Sequence, residues 1–179
     1  MIRIIIAEPS SSHYEEALAF IYERYSNRHK CSSYVYPDIL AIAYKHERIQ
    51  GTMGLLVGHE EPYFFEQCEP AHAAERLLCG DSRNELAEIT RFTTHQNTPP
   101  RAALQLGTAL VAHLCAYAQH VRHFGFVGKR SFCSILEALS IQAIVMGKPT
   151  FPNITKEEFG TYPDQKNLYV MGFHAPVMA

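Results

Sequence analysis

The chain has 179 residues, 47% of them hydrophobic and 19% charged, with a formal net charge of −2. That length suits one domain over residues 1–179 with a substantial core, and that charge leaves no electrostatic case for a nucleic-acid partner. No apolar stretch approaches the roughly 20 residues that span a bilayer, and the run 1–7 is too short for a signal-peptide core.

Taken in chain order, residues 2–7 read as a strand, and Ser12-His13-Tyr14-Glu15 has the form of a capping box at the start of a helix running to about Arg28. Tyr14, Leu18, Ile21, Tyr22 and Tyr25 recur at helical spacing and predict its buried stripe. Residues 31–36 read as a loop or lid. Strands are expected over 39–45 and 49–57, joined by a turn at Glu47-Arg48, with a further short strand over 63–66. A short helix over 70–78 precedes a strand over 85–94. A helix over 102–123 follows, burying Gly107, Leu110, Val111, Leu114, Tyr117, Ala118 and Val121. The chain closes with a strand over 124–127, a helix over 132–140, and strands over 143–146 and 168–173. Strands and helices alternating in this order fit an α/β sandwich with a mixed sheet.

Five cysteines, Cys31, Cys68, Cys79, Cys115 and Cys133, are scattered and contain no Cys-x-x-Cys pair, so a reduced, cytoplasmic setting is expected. Cys133 has no His or Asp signature of a covalent nucleophile beside it. His113, His120 and His123 lack the spacing that places two ligands on adjacent helical turns, and no metal site is expected.

Glu88 and Arg91 stand three residues apart in a strand-like run, where apolar packing explains them poorly. Glu88-Ile89-Thr90-Arg91-Phe92 resembles the Glu-x-Ser-Arg-Phe motif of the acyl-homoserine-lactone (autoinducer) synthases, which have an N-acetyltransferase-like (GNAT) fold. More of the chain is similar to the thermostable hemolysin family. Tyr36-Pro37-Asp38, Gly51-Thr52-Met53-Gly54-Leu55, Tyr63-Phe64-Phe65-Glu66-Gln67, Phe159-Gly160-Thr161-Tyr162 and Val170-Met171-Gly172 fall in that family's order. The resemblance implies a GNAT-like three-layer α/β/α sandwich with a mixed, splayed central sheet. The strands on either side of the 102–123 helix should be parallel neighbours that part to form a cleft, with Glu88 and Arg91 lining it and the helix N-terminus near Gly107 at its floor. It further implies an acyltransferase that moves an acyl group from an acyl carrier protein or coenzyme A thioester to a small amine or amino-acid derivative. Such an enzyme keeps no permanently bound cofactor, the acyl-phosphopantetheine or acyl-coenzyme A being its donor substrate. The synthases carry an Arg on the strand that here reads Gly51-Thr52-Met53-Gly54-Leu55-Leu56, so S-adenosylmethionine is not carried over as the acceptor. Two other readings stand beside this one: a membrane-active hemolysin, and a non-catalytic module that binds an acyl carrier.

In an acyltransferase, Glu88 is the first candidate base, directly or through a water, with Arg91 beside it; the bland alternative is a structural Glu88/Arg91 pair at a sheet edge. Glu66 is the second, at the end of an aromatic run where desolvation raises a carboxyl pKa, against a solvated strand end. Arg101, Gln105, Gly107 and Thr108 are candidates for a phosphate cradle at a helix N-terminus, or for a cap without ligand. Lys129 and Arg130 form a compact basic pair suited to phosphopantetheine or an acidic carrier, or simply solvated.

Overall fold

The computed structural model describes residues 1–31, 36–68, 72–152, 155 and 159–175. Seven strands, β1 (Arg3–Ala7), β2 (Ile39–Lys45), β3 (Arg48–Val57), β4 (Leu86–Thr94), β5 (His123–Lys129), β6 (Ile144–Gly147) and β7 (Leu168–His174), form one sheet in the order β1-β2-β3-β4-β5-β7-β6. All neighbours are antiparallel except β4 and β5. The expected sandwich is therefore the observed one, with its parallel step at the strand-helix-strand crossover.

The two-residue alternation of strands sorts the core into layers. Ala41, Ala43, Met53, Leu55, Ala87, Ile89, Phe124 and Phe126 face helices α4 (Pro100–Tyr117) and α5 (Cys133–Glu137). On the other face, Leu40, Ile42 and Tyr44 pack on α1 (Ser12–His29), while Leu86 and Val170 pack with α2 (Phe64–Gln67) and α3 (Ala73–Leu78). Ser11 caps α1, accepting the His13 amide, and Tyr14, Ala17 and Ile21 carry its buried stripe. Tyr22, expected in that stripe, is exposed, because it lies off the 14/17/21 face.

Three expected elements are corrected. Residues 63–66 are not a strand: the Glu66 side chain turns back to accept the Tyr63 amide at 2.7 Å, a capping contact that starts α2. The long helix begins at Pro100, where a missing N–H costs nothing, and stops at Tyr117, so the exposed Tyr117 ends it and the buried Ala118 and Val121 belong to the turn into β5. The predicted 132–140 helix is a 3₁₀ turn, Arg130–Phe132, followed by the short α5. Most of the predicted 31–36 lid, and Pro70 and Ala71 of the predicted 70–78 helix, lie outside the described residues.

Candidate active site

The site begins where the sheet stops being continuous. β4 and β5 pair only over Leu86↔His123, Ala87↔Phe124 and Glu88↔Gly125. Beyond Glu88, β4 follows β3 as far as Gly51↔Thr94, and β5 follows β7 as far as Lys129↔Leu168, so a wedge opens between them. A bulge in β4 contributes to the divergence. Thr90 faces Gly54 and Thr93 faces Thr52, which leaves one extra residue on β4. Arg91 sits in it with φ of 55°, a left-handed conformation that costs a non-glycine residue about 1–3 kcal/mol. A bulge bends and twists its strand, here turning β4 away from β5.

The wedge holds a cavity of 730 Å³ that reaches both faces of the sheet. On the α4/α5 side its wall is apolar: Phe92, Leu104, Phe126, Phe132 and Ile135. On the α1/α2 side it is lined by Glu88, Arg91, Tyr25, His29 and Tyr162. Glu88 and Arg91 thus both line the cleft, as expected.

Glu88 is only 2% exposed. Its Oε1 accepts the Phe65 amide at 2.9 Å and its Oε2 the Phe64 amide at 3.1 Å, both from the first turn of α2. Burial pushes its pKa up to about 8, aided by the Glu66 charge and opposed by the two amides and Arg91. The Arg91 guanidinium lies over the Tyr25 ring, 4.9 Å from its centroid. The carboxylate is therefore held by backbone amides and the guanidinium by an aromatic face, not by each other in a simple edge pair.

The remaining sequence candidates are distributed differently. Glu66 is bound bidentately by Arg83, at 2.9 and 2.7 Å, and does not line the cleft. Its expected place at an apolar strand end is replaced by a helix-capping, ion-paired one. Gly107 and Thr108 are two turns inside α4, not at its N-terminus. Gly107 lies under Ile135, whose Cδ1 would be 2.4 Å from an added Cβ, and the Thr108 hydroxyl donates back to Leu104 O at 2.9 Å. Arg101 and Gln105 are exposed on the first turns of α4, while Pro100, Ala103 and Leu104 turn toward the cleft. Lys129 stands on the cleft rim at the end of β5; Arg130, next to it, points to solvent. Cys133 Sγ faces Met171 Sδ at 3.7 Å.

Sequence reasoning missed three cleft residues. Tyr25 looked like core on helical spacing alone. His29 ends α1 buried, its pKa lowered chiefly by burial and further by Arg28 and Lys129. Tyr162 lay in a motif without an assigned role. Its ring meets His29 edge-on at 5.6 Å and its hydroxyl donates to Val127 O at 3.3 Å, across the β5 side of the wedge. Burial raises its pKa, so the hydroxyl keeps its proton. The glycine of that motif is explained by contact: Gly160 has φ of 54°, an added Cβ would fall 1.8 Å from His29 O, and the next amide, Thr161, donates to that oxygen at 2.8 Å.

The family profile described as thermostable hemolysin matches residues 7–175. The chain belongs to the thermostable hemolysin family. No curated protein sequence matches it. Among solved structures, this thermostable hemolysin family member is similar to FeeM, an N-acyl amino acid synthase from uncultured soil microbes, at 12% identity and a TM-score of 0.62, covering 99% of this chain and 92% of that one. It is similar to the acyl-homoserine-lactone synthase LasI at 10% identity and a TM-score of 0.60, covering 98% and 90%. A putative N-acetyltransferase from Lactobacillus plantarum matches at 16% identity and a TM-score of 0.56, covering 98% and 99%. These likenesses establish the GNAT-like fold. Among the described residues no helix is long and apolar enough to cross a membrane.

Proposed function

We propose that this protein is an acyltransferase that moves an acyl group from a pantetheine thioester, carried by an acyl carrier protein or coenzyme A, to a small amine or amino-acid derivative. The observation that carries this reading is the wedge itself. Two strand edges without a partner beyond Glu88 and Gly125 can pair with the amides of a pantetheine arm, and the opening leads through the sheet to an apolar chamber. FeeM, an N-acyl amino acid synthase, and LasI, an acyl-homoserine-lactone synthase, have a similar fold.

In this reading the acyl chain lies against Phe92, Leu104, Phe126, Phe132 and Ile135, which places the thioester carbonyl near the sheet and the amine on the side of Glu88, Arg91 and His29. Each Glu88 oxygen accepts one amide and keeps a further acceptor position for a water. The amine nitrogen attacks the thioester carbonyl, its proton passes to Glu88 through that water, and the tetrahedral intermediate collapses with loss of the thiolate. Tyr162, protonated on the β5 side, becomes an O–H donor for the departing sulfur when its hydrogen turns from Val127 O. Arg101 and the first free amides of α4 serve the donor's phosphate, and Lys129 and Arg130 its carrier. Glu66 holds α2 in place, and through α2 the amides that bind Glu88.

The test is mass spectrometry of products from the purified protein incubated with a panel of acyl thioesters and amines. An acylated amine that disappears with Glu88→Gln supports the transferase. Thioester binding without product from any pair in the panel sinks it and leaves a binding module.

A further inference from the structure

At the closed end of the wedge, away from the cleft, three side chains converge that the acyl-transfer reading does not use. Asp81, Glu85 and His123 each offer one ligand atom, and these atoms lie within 4.8 Å of one another. None of the three lines the cleft. They come from different places in the chain: Asp81 from the turn after α3, Glu85 from the 3₁₀ turn entering β4, and His123 from the first position of β5.

The His123 side chain is only 7% exposed, and its Nε2 points at Asp81 Oδ2, 2.9 Å away. Glu85 Oε2 is shielded from solvent and accepts no hydrogen bond. Arg122 Nε lies within ion-pair distance of it, at 3.4 Å, but is not aligned to donate. A solvent-shielded carboxylate oxygen beside an imidazole nitrogen is a poorly satisfied arrangement on its own, and a cation between them would satisfy it. The far side of the imidazole is also provided for. His123 Nδ1 meets His174 Nδ1 at 2.9 Å across the β5/β7 pair, so the ring can donate Nδ1–H to His174 while Nε2 binds a metal.

We propose that Asp81, Glu85 and His123 bind a divalent transition-metal ion of the Zn²⁺ class. One imidazole nitrogen and two carboxylate oxygens form a three-ligand set that suits such an ion, with water completing its shell. The ion ties the α3-to-β4 connection to the first residue of β5, at the place where β4 and β5 are still paired through Leu86↔His123. Its role is to hold the apex of the wedge, not to act on substrate. Two features keep the cluster assembled for it: Arg122 N–H donates to Glu85 O at 2.9 Å, and Asp81 N–H to Leu78 O at 2.9 Å. The exposed Arg122 guanidinium is the ion's competitor for Glu85.

The experiment is titration calorimetry of the metal-stripped protein with ZnCl₂, repeated on Asp81→Asn, Glu85→Gln and Arg122→Ala, with circular dichroism to confirm folding and melting curves with and without zinc. Asp81 is 49% and Glu85 30% exposed at the side chain, so both isosteric changes leave the core intact. The expected result is one zinc per chain, bound about 10-fold or more weakly by Asp81→Asn and Glu85→Gln. Arg122→Ala should bind it more tightly, since the competing charge is gone, and zinc should raise the melting temperature of the parent protein only where it binds. Absence of binding, or binding equal in the parent and both carboxylate variants, overturns the proposal, the second result placing the ion on other histidines or cysteines.

Discussion

Glu88 sets two effects on its pKa against each other: its burial, and the hydrogen bonds that its oxygens accept from two amides. The amides favour the charged form, but burial wins, and the carboxyl titrates at about 8. If Glu88 is the base, turnover should rise as pH climbs through that value, and Glu88→Gln should flatten the profile and lower kcat by about 10²-fold or more. The same shift has a thermodynamic sign. Between the usual 4.5 and about 8 the folded chain holds a proton that the unfolded chain has lost. This contribution to stability is complete below the lower value and declines as pH rises through the upper one. Calorimetric melts at stepped pH should show that decline in the parent and lose it in Glu88→Gln. A slope unchanged by the substitution would assign it to another group. The position of Glu88 and Arg91 in the cleft was legible because charge inside a strand needs a reason; the hydrogen-bond partners of Glu88 were not, since Phe64 and Phe65 lie some twenty residues away and carry no polar side chain.

At the level of elements, short-range signals located the strands and failed where a distant group decided the conformation. The aromatic run at 63–65 has strand propensity, yet Glu66 capping and the Glu88 carboxylate together fix it as a helical turn. The bulge at Arg91 could not be read either, because a bulge is defined by its partner strand. Two predictions belong here. Gly160→Ala places a methyl group into His29 O on a left-handed backbone, so it should destabilise the protein by more than about 1 kcal/mol and loosen Tyr162, measured by chemical denaturation and by loss of turnover. Leu104→Phe narrows the apolar chamber and should shift the preferred donor toward shorter acyl chains, read as kcat/KM across a chain-length series. Equal losses for all lengths would remove Leu104 from the chain-binding wall.

Over the whole molecule, the proposed reading divides three basic residues between two roles. Lys129 ends β5 and Arg130 opens the 3₁₀ turn after it, whereas Arg101 stands on the first turn of α4, the crossover helix. Charge reversal at Lys129 and Arg130 should weaken transfer from a carrier protein far more than transfer from a short pantetheine thioester, and added salt should slow the carrier-dependent rate first. Arg101→Ala should impair every donor that carries the phosphate. Equal effects on all donors, with no salt dependence, would mean these cations are solvated surface.

Local pattern determined where the seven strands lie, the start of α1 to within a residue of its cap at Ser11, the crossover that makes β4 and β5 parallel, and the resemblance carried by Glu88, Arg91 and Gly160. These follow from periodicity, turn chemistry and short motifs, all of which act between residues near in sequence. Tertiary structure alone decided that Glu66 belongs to Arg83, that Gly107 supports Ile135 inside α4, and that Tyr25, His29 and Tyr162 share one cleft wall. It also brought Asp81 to His123 across 42 residues. The reason is physical: burial, pKa and the pairing of a charge depend on what packs around a side chain, and those neighbours are set by how distant segments of the chain meet.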